Sequence, residues 1–250
     1  MDEGAIADGD VDAGESDAGE LDAGEFGSWL RDVRDALHGH GDSDVPCNGC
    51  TACCTSSQFV HIEPDEVDTL RHIPAEFRFQ APGLPRGHVV LGYDEQGRCP
   101  MLGEHGCSIY AHRPHACRVY DCRVYAATGV EIDEPEKAGV ARRARRWRFS
   151  YASPGARVRH EAAQAAAAYL ETHARELPEA HHARTATRRA LRALEIAEQF
   201  VDSEAGSDSP TVVEPRLDAV AAALRGGDAD RPSPPSLDRE PERRARRTEG

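Results

Sequence analysis

All eight cysteines of the chain lie between residues 47 and 122. The first four read Cys47-Asn48-Gly49-Cys50-Thr51-Ala52-Cys53-Cys54, and the others are Cys99, Cys107, Cys117 and Cys122. C-x2-C spacing lets two sulfurs one turn apart face a single soft cation, as in zinc and iron–sulfur sites. Buried cysteine also serves as a small hydrophobe, but apolar packing does not call for C-x2-C-x2-CC. A disulfide framework is the other use of an even count. Met1-Asp2-Glu3-Gly4 shows no basic segment, apolar run or cleavage site of a secretory signal, so the expectation is a cytoplasmic protein with reduced thiols. The cluster reads as a metal site, with zinc or an iron–sulfur cluster as the bound group.

Spacing narrows the choice of site. Cys47, Cys50 and Cys53 begin like the bacterial ferredoxin run C-x2-C-x2-C-x3-C-P, but Ser57 and Gln58 stand where its last cysteine and proline belong. The C-x3-C-x2-C of a radical-SAM cluster is absent as well. Cys53 and Cys54 are neighbours whose side chains diverge. Either one of them is not a ligand, or the pair reaches two different metals; eight thiols suffice for two four-cysteine sites or for one cluster with spare sulfurs.

Turns pre-arrange the later cysteines. A β-branched run, Val89 to Tyr93, leads through the turn Asp94-Glu95-Gln96-Gly97 to Cys99, and Gly103-Glu104-His105-Gly106 is a second turn before Cys107. Cys99 and Cys107 should flank a tight reversal. Arg113-Pro114 suits a helix start, placing Cys117 in a first turn whose unpaired N–H groups should lower its pKa. His105, His112 and His115 are secondary ligand candidates.

Cys47-x2-Cys50-x2-Cys53-Cys54, followed by Cys99-Pro100-Met101-Leu102-x4-Cys107-Ser108-Ile109-Tyr110-Ala111-His112-Arg113-Pro114-His115-Ala116-Cys117-Arg118, resembles the YkgJ-type cysteine-cluster family, also described as a zinc- or iron-chelating domain with a CxxCxxCC motif. The resemblance covers roughly residues 47–125. It implies metal chelation through Cys47, Cys50, Cys53, Cys54, Cys99, Cys107 and Cys117, with no biological role attached to most members. Cys122 completes the candidate ligands but follows the matched pattern and ranks lower. A related motif in flagellin lysine methylases keeps an enzymatic alternative, an iron–sulfur oxidoreductase or a protein-modifying enzyme.

The remainder sets bounds. Residues 1–25 hold ten acidic side chains and no basic one, with Asp-Ala-Gly-Glu repeated at 12–15, 17–20 and 22–25, and the expectation is a disordered acidic tail. Twenty-nine arginines stand against one lysine, Lys137, under a net charge of −14, a composition like that of halophilic proteins. Phe26, Trp29, Leu30, Val33 and Leu37 recur at helical steps, so 26–46 reads as an amphipathic helix and linker. Val67, Leu70 and Ile73 mark a short helix between Pro64 and Pro74. Helical periodicity returns from Val158 to Leu177 and from Ala190 to Val201, giving a helical extension over 126–203 whose two helices should pair. Residues 204–250 read as a mostly disordered tail with one weak helix near Arg216–Arg225. The expected fold is α+β and mostly helical: a small metal-stabilised cysteine domain (47–125) with a short β-hairpin and C-terminal helices, between polar tails.

No run approaches the ~18 apolar residues of a membrane span, so no membrane partner is expected. Arg142, Arg143, Arg145, Arg146 and Arg148 surround Trp147, with Phe149 and Tyr151 following. Such interleaving can bind nucleic acid, which makes a zinc-dependent nucleic-acid-binding module a further alternative. The blander reading, a solvated arginine face over an inward Trp147, is preferred, as is a role for these arginines in offsetting thiolate charge. No P-loop, GxGxxG, HExxH or GxSxG occurs.

Overall fold

The computed structural model describes residues 19–43, 45–47, 49–202 and 210–229. Strand β1 (Leu21–Glu25) runs straight into helix α1 (Phe26–Leu37). The Glu25 carboxylate accepts from the backbone N–H groups of Gly27 at 3.0 Å and Ser28 at 2.7 Å, which satisfies two orphan donors of the first turn. Phe26, Trp29, Leu30, Val33 and Ala36 form the buried stripe, as the periodicity predicts; each large apolar side chain so buried contributes about 1.5–3 kcal/mol.

A small lobe follows: β2 (Val60–Ile62), α2 (Val67–His72), β3 (Arg78–Gln80), β4 (Val89–Leu91), then the hairpin β5 (Leu102–Gly103) and β6 (Gly106–Cys107). Its antiparallel sheet has the order β2-β4-β3 and covers a core of Ile62, Ile73, Leu91, Met101 and Ile109. The chain then enters the helical lobe through α3 (His115–Val119), α4 (Arg123–Thr128), α5 (Ala138–Ala144), β7 (Trp147–Ser150), α6 (Pro154–Thr172) and α7 (Ala186–Ile196). A two-residue pairing of β8 (Val201–Asp202) with β9 (Thr211–Val212) and helix α8 (Leu217–Ala229) complete it. Alanines 162, 163, 166 and 167 of α6 and 190, 193 and 197 of α7 and the turn after it are buried in the large core, and such small side chains let two helices approach closely.

The α+β, mainly helical architecture is the one expected. Several details differ. The acidic tail expected over 1–25 overlaps the fold at its end: β1 pairs in parallel with β7, Leu21 opposite Trp147 and Glu25 opposite Ser150, and Ala23 is fully buried. The earlier part of that tail, 1–18, lies outside the described residues, as do 203–209 and 230–250 of the C-terminal stretch. In α2, Val67 is exposed and Thr69 is buried, because the helix turns its threonine toward the 110–115 segment. β4 pairs with β2 and β3 rather than with the residues after the Asp94–Gly97 turn; the two neighbouring strands, three residues each, are too short for a period to show. Helix α7 ends at Ile196 and passes through a 3-10 turn to Phe200, just short of the expected Val201.

Candidate metal centre

Cys47 follows a short turn, and its carbonyl accepts from the Cys50 N–H at 2.9 Å. Cys53 and Cys54 share the 3-10 turn Ala52–Thr55, and the Cys54 N–H bonds the Thr51 carbonyl at 2.9 Å. The Cys99 N–H then reaches the Cys54 carbonyl at 2.7 Å, so the late cysteines are sewn to the early ones through backbone. Gly97 makes this joint possible. It sits at φ 75°, and a Cβ there would collide with the Ser57 side chain, while the Ser57 N–H bonds the Gly97 carbonyl at 3.0 Å. Cys107 lies opposite Leu102 across the β5–β6 hairpin, the expected tight reversal. Cys117 stands on α3 and Cys122 caps α4.

All eight cysteines are free. Neighbouring thiols raise one another's pKa, since each disfavours a second negative charge. On Cys53 they are, in descending order, Cys122, Cys47, Cys54 and Cys50. Cys122 in turn feels Cys47 and Cys50. Cys54 feels Cys99 and Cys107 first and then Cys50 and Cys47, and Cys117 feels Cys54, Cys99 and Cys107. Cys122 belongs to the helical core, whereas Cys99 and Cys107 pack against the small one.

Burial pushes these thiols up: Cys54 and Cys122 to about 11 and Cys117 to about 12, with Cys53 well above the ordinary value and Cys47 and Cys99 raised. Cys53 keeps part of its residue surface open to solvent, yet the dense protein around its sulfur raises it all the same. The lowered pKa expected for Cys117 is overturned. Its helix has five residues, and desolvation together with three neighbouring thiols outweighs any N-terminal dipole and the nearby Arg113.

Positive charge meets the cluster through Arg143. Its Nη2 donates to the carbonyls of Pro46 and Cys47 at 3.1 Å each, its guanidinium lies 4.9 Å from the Trp147 ring centroid, and it favours the Cys47 thiolate. Trp147 is buried, on a strand rather than a helix, and Phe149 packs against Phe26 and Trp29 at 5.3 and 4.8 Å. Arg146 donates to the Gly19 carbonyl and Arg148 pairs with Glu20. The aromatics that a base would stack on are therefore committed to the core.

Among the described residues, one trio of His, Cys, Asp or Glu brings its ligand atoms within 4.8 Å of one another, and it is Asp68, His72 and His112. No three cysteine sulfurs are drawn that close. Of the histidines expected as secondary ligands, His112 belongs to this trio, His105 is exposed on the β5–β6 turn, and His115 donates its backbone N–H to Glu66 at 2.6 Å. Asp68 and His72 escaped the sequence reading. Their i, i+4 spacing was visible, but the residue that completes the set lies 44 positions away.

Residues 46–139 match the family model described as "CxxCxxCC: Putative zinc- or iron-chelating domain". That stretch is similar to the CxxCxxCC family. It contains all eight cysteines, the whole small lobe and the first turns of the helical one. No curated protein and no solved structure matches the chain. No helix among the described residues is long and apolar enough to cross a membrane.

Proposed function

We propose that the CxxCxxCC domain holds two iron–sulfur centres, divided between Cys53 and Cys54. Cys47, Cys50, Cys53 and Cys122 hold one; Cys54, Cys99, Cys107 and Cys117 hold the other. The observation that supports this reading is that Cys122 packs in the helical core while Cys99 and Cys107 pack against the small one, with the Cys99 N–H bonded to the Cys54 carbonyl at 2.7 Å. It answers the geometric problem of adjacent cysteines, since each of the diverging side chains serves a different centre. Two-cluster ferredoxins share sulfurs on the same principle, a closely spaced run sending its last cysteine to the second cluster.

Eight thiols suffice for two four-cysteine iron–sulfur clusters, the ligation such clusters take. Such a group supplies one-electron transfer at a potential set by burial and by hydrogen bonds to its sulfurs. The protein contributes a buried setting, the Trp147 N–H to Cys122 and the Arg143 charge beside Cys47. The raised thiols mean that loading releases protons, and a reducing, cytoplasmic setting keeps the ligands available.

Anaerobic purification followed by iron, sulfide and zinc analysis tests the metal. Iron and sulfide in comparable amounts support the reading, while zinc without sulfide overturns it. Cys50→Ser and Cys107→Ser test the division: each should remove about half of the iron, one four-thiolate centre of two, and Cys122→Ser should match Cys50→Ser. Equal loss of all metal in every variant would refute the partition whatever the metal.

A further inference from the structure

The geometry points to a separate, solvent-open site for a divalent transition-metal ion, formed by Asp68, His72 and His112 on the outer side of the small lobe. Nothing in the cysteine assignment requires it, and it uses none of the thiols. Asp68 and His72 stand one turn apart on α2, on the same side of the helix. His112 comes from the 3-10 turn Tyr110–His112, and its ring stacks on that of His72 with centroids 3.6 Å apart and planes 7° from parallel. His112 Nδ1 hydrogen-bonds Asp68 Oδ2, and His72 Nδ1 lies 3.9 Å from Asp68 Oδ1.

Two further contacts fix α2 against the turn that carries His112. Glu66 Oε2 accepts the His115 N–H at 2.6 Å, and the Thr69 hydroxyl donates to the Arg113 carbonyl at 3.4 Å. The elements that carry the three residues are thus joined by these two contacts, and the side chains by the His112–Asp68 hydrogen bond, the bond from His72 Nδ1 to the Asp68 carbonyl at 2.9 Å and the ring stack.

Two imidazoles and one carboxylate are the donors that borderline first-row dications prefer, zinc, nickel, cobalt or iron(II), and they suit calcium and magnesium poorly. The side chains of all three residues are between about one third and two thirds exposed, so the remaining coordination positions face water. A three-ligand site with open positions exchanges its ion or binds a substrate on it; a closed structural zinc site has four protein ligands. His112 lies in the segment between Cys107 and Cys117, and no cysteine belongs to the trio.

The test uses the full chain, purified anaerobically with its cysteine-bound metal in place, titrated with Co2+. Wild type should bind one added equivalent, giving ligand-field bands without thiolate-to-cobalt charge transfer and broadening the ring resonances of His72 and His112. His72→Ala and His112→Ala should each weaken Co2+ binding at least tenfold, and Asp68→Asn should weaken it too, while iron content and far-ultraviolet circular dichroism stay at wild-type values. An unchanged isotherm in the His72→Ala/His112→Ala double variant overturns the proposal. So does thiolate-to-cobalt charge transfer, or the absence of broadening at the two rings in wild type; these last readouts need no variant to fold.

Discussion

The indole Nε1–H of Trp147 donates to the sulfur of Cys122 at 3.2 Å. One residue of β7 thereby reaches a thiol at the start of α4, and the strand that carries it is itself held by β1. Trp147→Phe should keep the ring's packing but lose the donor. A net hydrogen bond is worth about 0.5–1.5 kcal/mol, so thermal or denaturant unfolding should show a loss of about 1–2 kcal/mol with the packing change included. The reduction potential of one centre alone should shift, because hydrogen bonds to sulfur tune it. Voltammetry that shows both centres moving together would contradict the placement of Cys122 in one set.

Asp121 is the polar knot beside that sulfur. Its carboxylate accepts from Trp29 Nε1 and the Ser43 hydroxyl at 2.9 Å each, and from Arg123 Nη2 at 2.7 Å, all with its side chain sealed from solvent. Asp121→Asn removes the charge that faces a buried guanidinium, and breaking such a pair costs about 3–5 kcal/mol. Chemical denaturation should read that loss. A change under about 1 kcal/mol would mean that the pair is solvated in solution.

Thiol protonation gives the metal-free protein a definite pH dependence. Cys54, Cys117 and Cys122 sit at about 11 to 12 against an ordinary value of 9.0, so between these limits the folded chain binds protons that the unfolded chain has released. Stability is then fully present below about pH 9 and falls as pH rises through the folded values. Denaturation midpoints of metal-free protein should drop between about pH 9 and pH 12. Metal loading runs the other way, weakening as pH falls, because protons compete for the sulfurs.

Glu25 supplies the opposite sign at the acid end. Hydrogen bonds from the Gly27 and Ser28 N–H groups hold its carboxyl at about 2, down from 4.5. Its stabilisation is present above about pH 4.5 and is lost as pH falls toward 2. Glu25→Ala should cost about 0.5–2 kcal/mol at neutral pH, as other N-cap losses do, and should flatten the acid limb of the stability profile. Deleting residues 1–18 should leave both stability and metal content unchanged, whereas deletion through Glu25 should not.

The legible parts of the molecule were those written in local pattern. Phe26, Trp29, Leu30 and Val33 announce α1 by period alone, and Gly103 to Gly106 announce the hairpin that presents Cys107. The C-x2-C run was equally plain, and it pointed to the zinc- or iron-chelating family whose model matches residues 46–139. What could not be read depends on chain crossings. Cys122, 69 positions away, is the thiol that most raises the Cys53 pKa, while Cys99 is the one that most raises that of Cys54. β1 hid inside an acidic repeat because its one fully buried side chain is the small Ala23, and the reason for its order, β7, lies more than a hundred residues downstream. Cys117 shows the remaining failure: a local dipole argument gave the wrong sign because the surrounding core, which no window of sequence displays, dominates its electrostatics.

The pairing of Leu21 with Trp147 also imposes a timetable on biosynthesis. β1 is among the first described segments to leave the ribosome, but it has no partner until every cysteine has already emerged. From Cys122 to the end of α7 at Ile196, translation at about 5–20 residues per second takes roughly 4 to 15 s. Throughout that interval α7 is incomplete and cannot settle fully against α4 and α6. The whole cysteine set is therefore out before either the strand pair or the helical core can close around it.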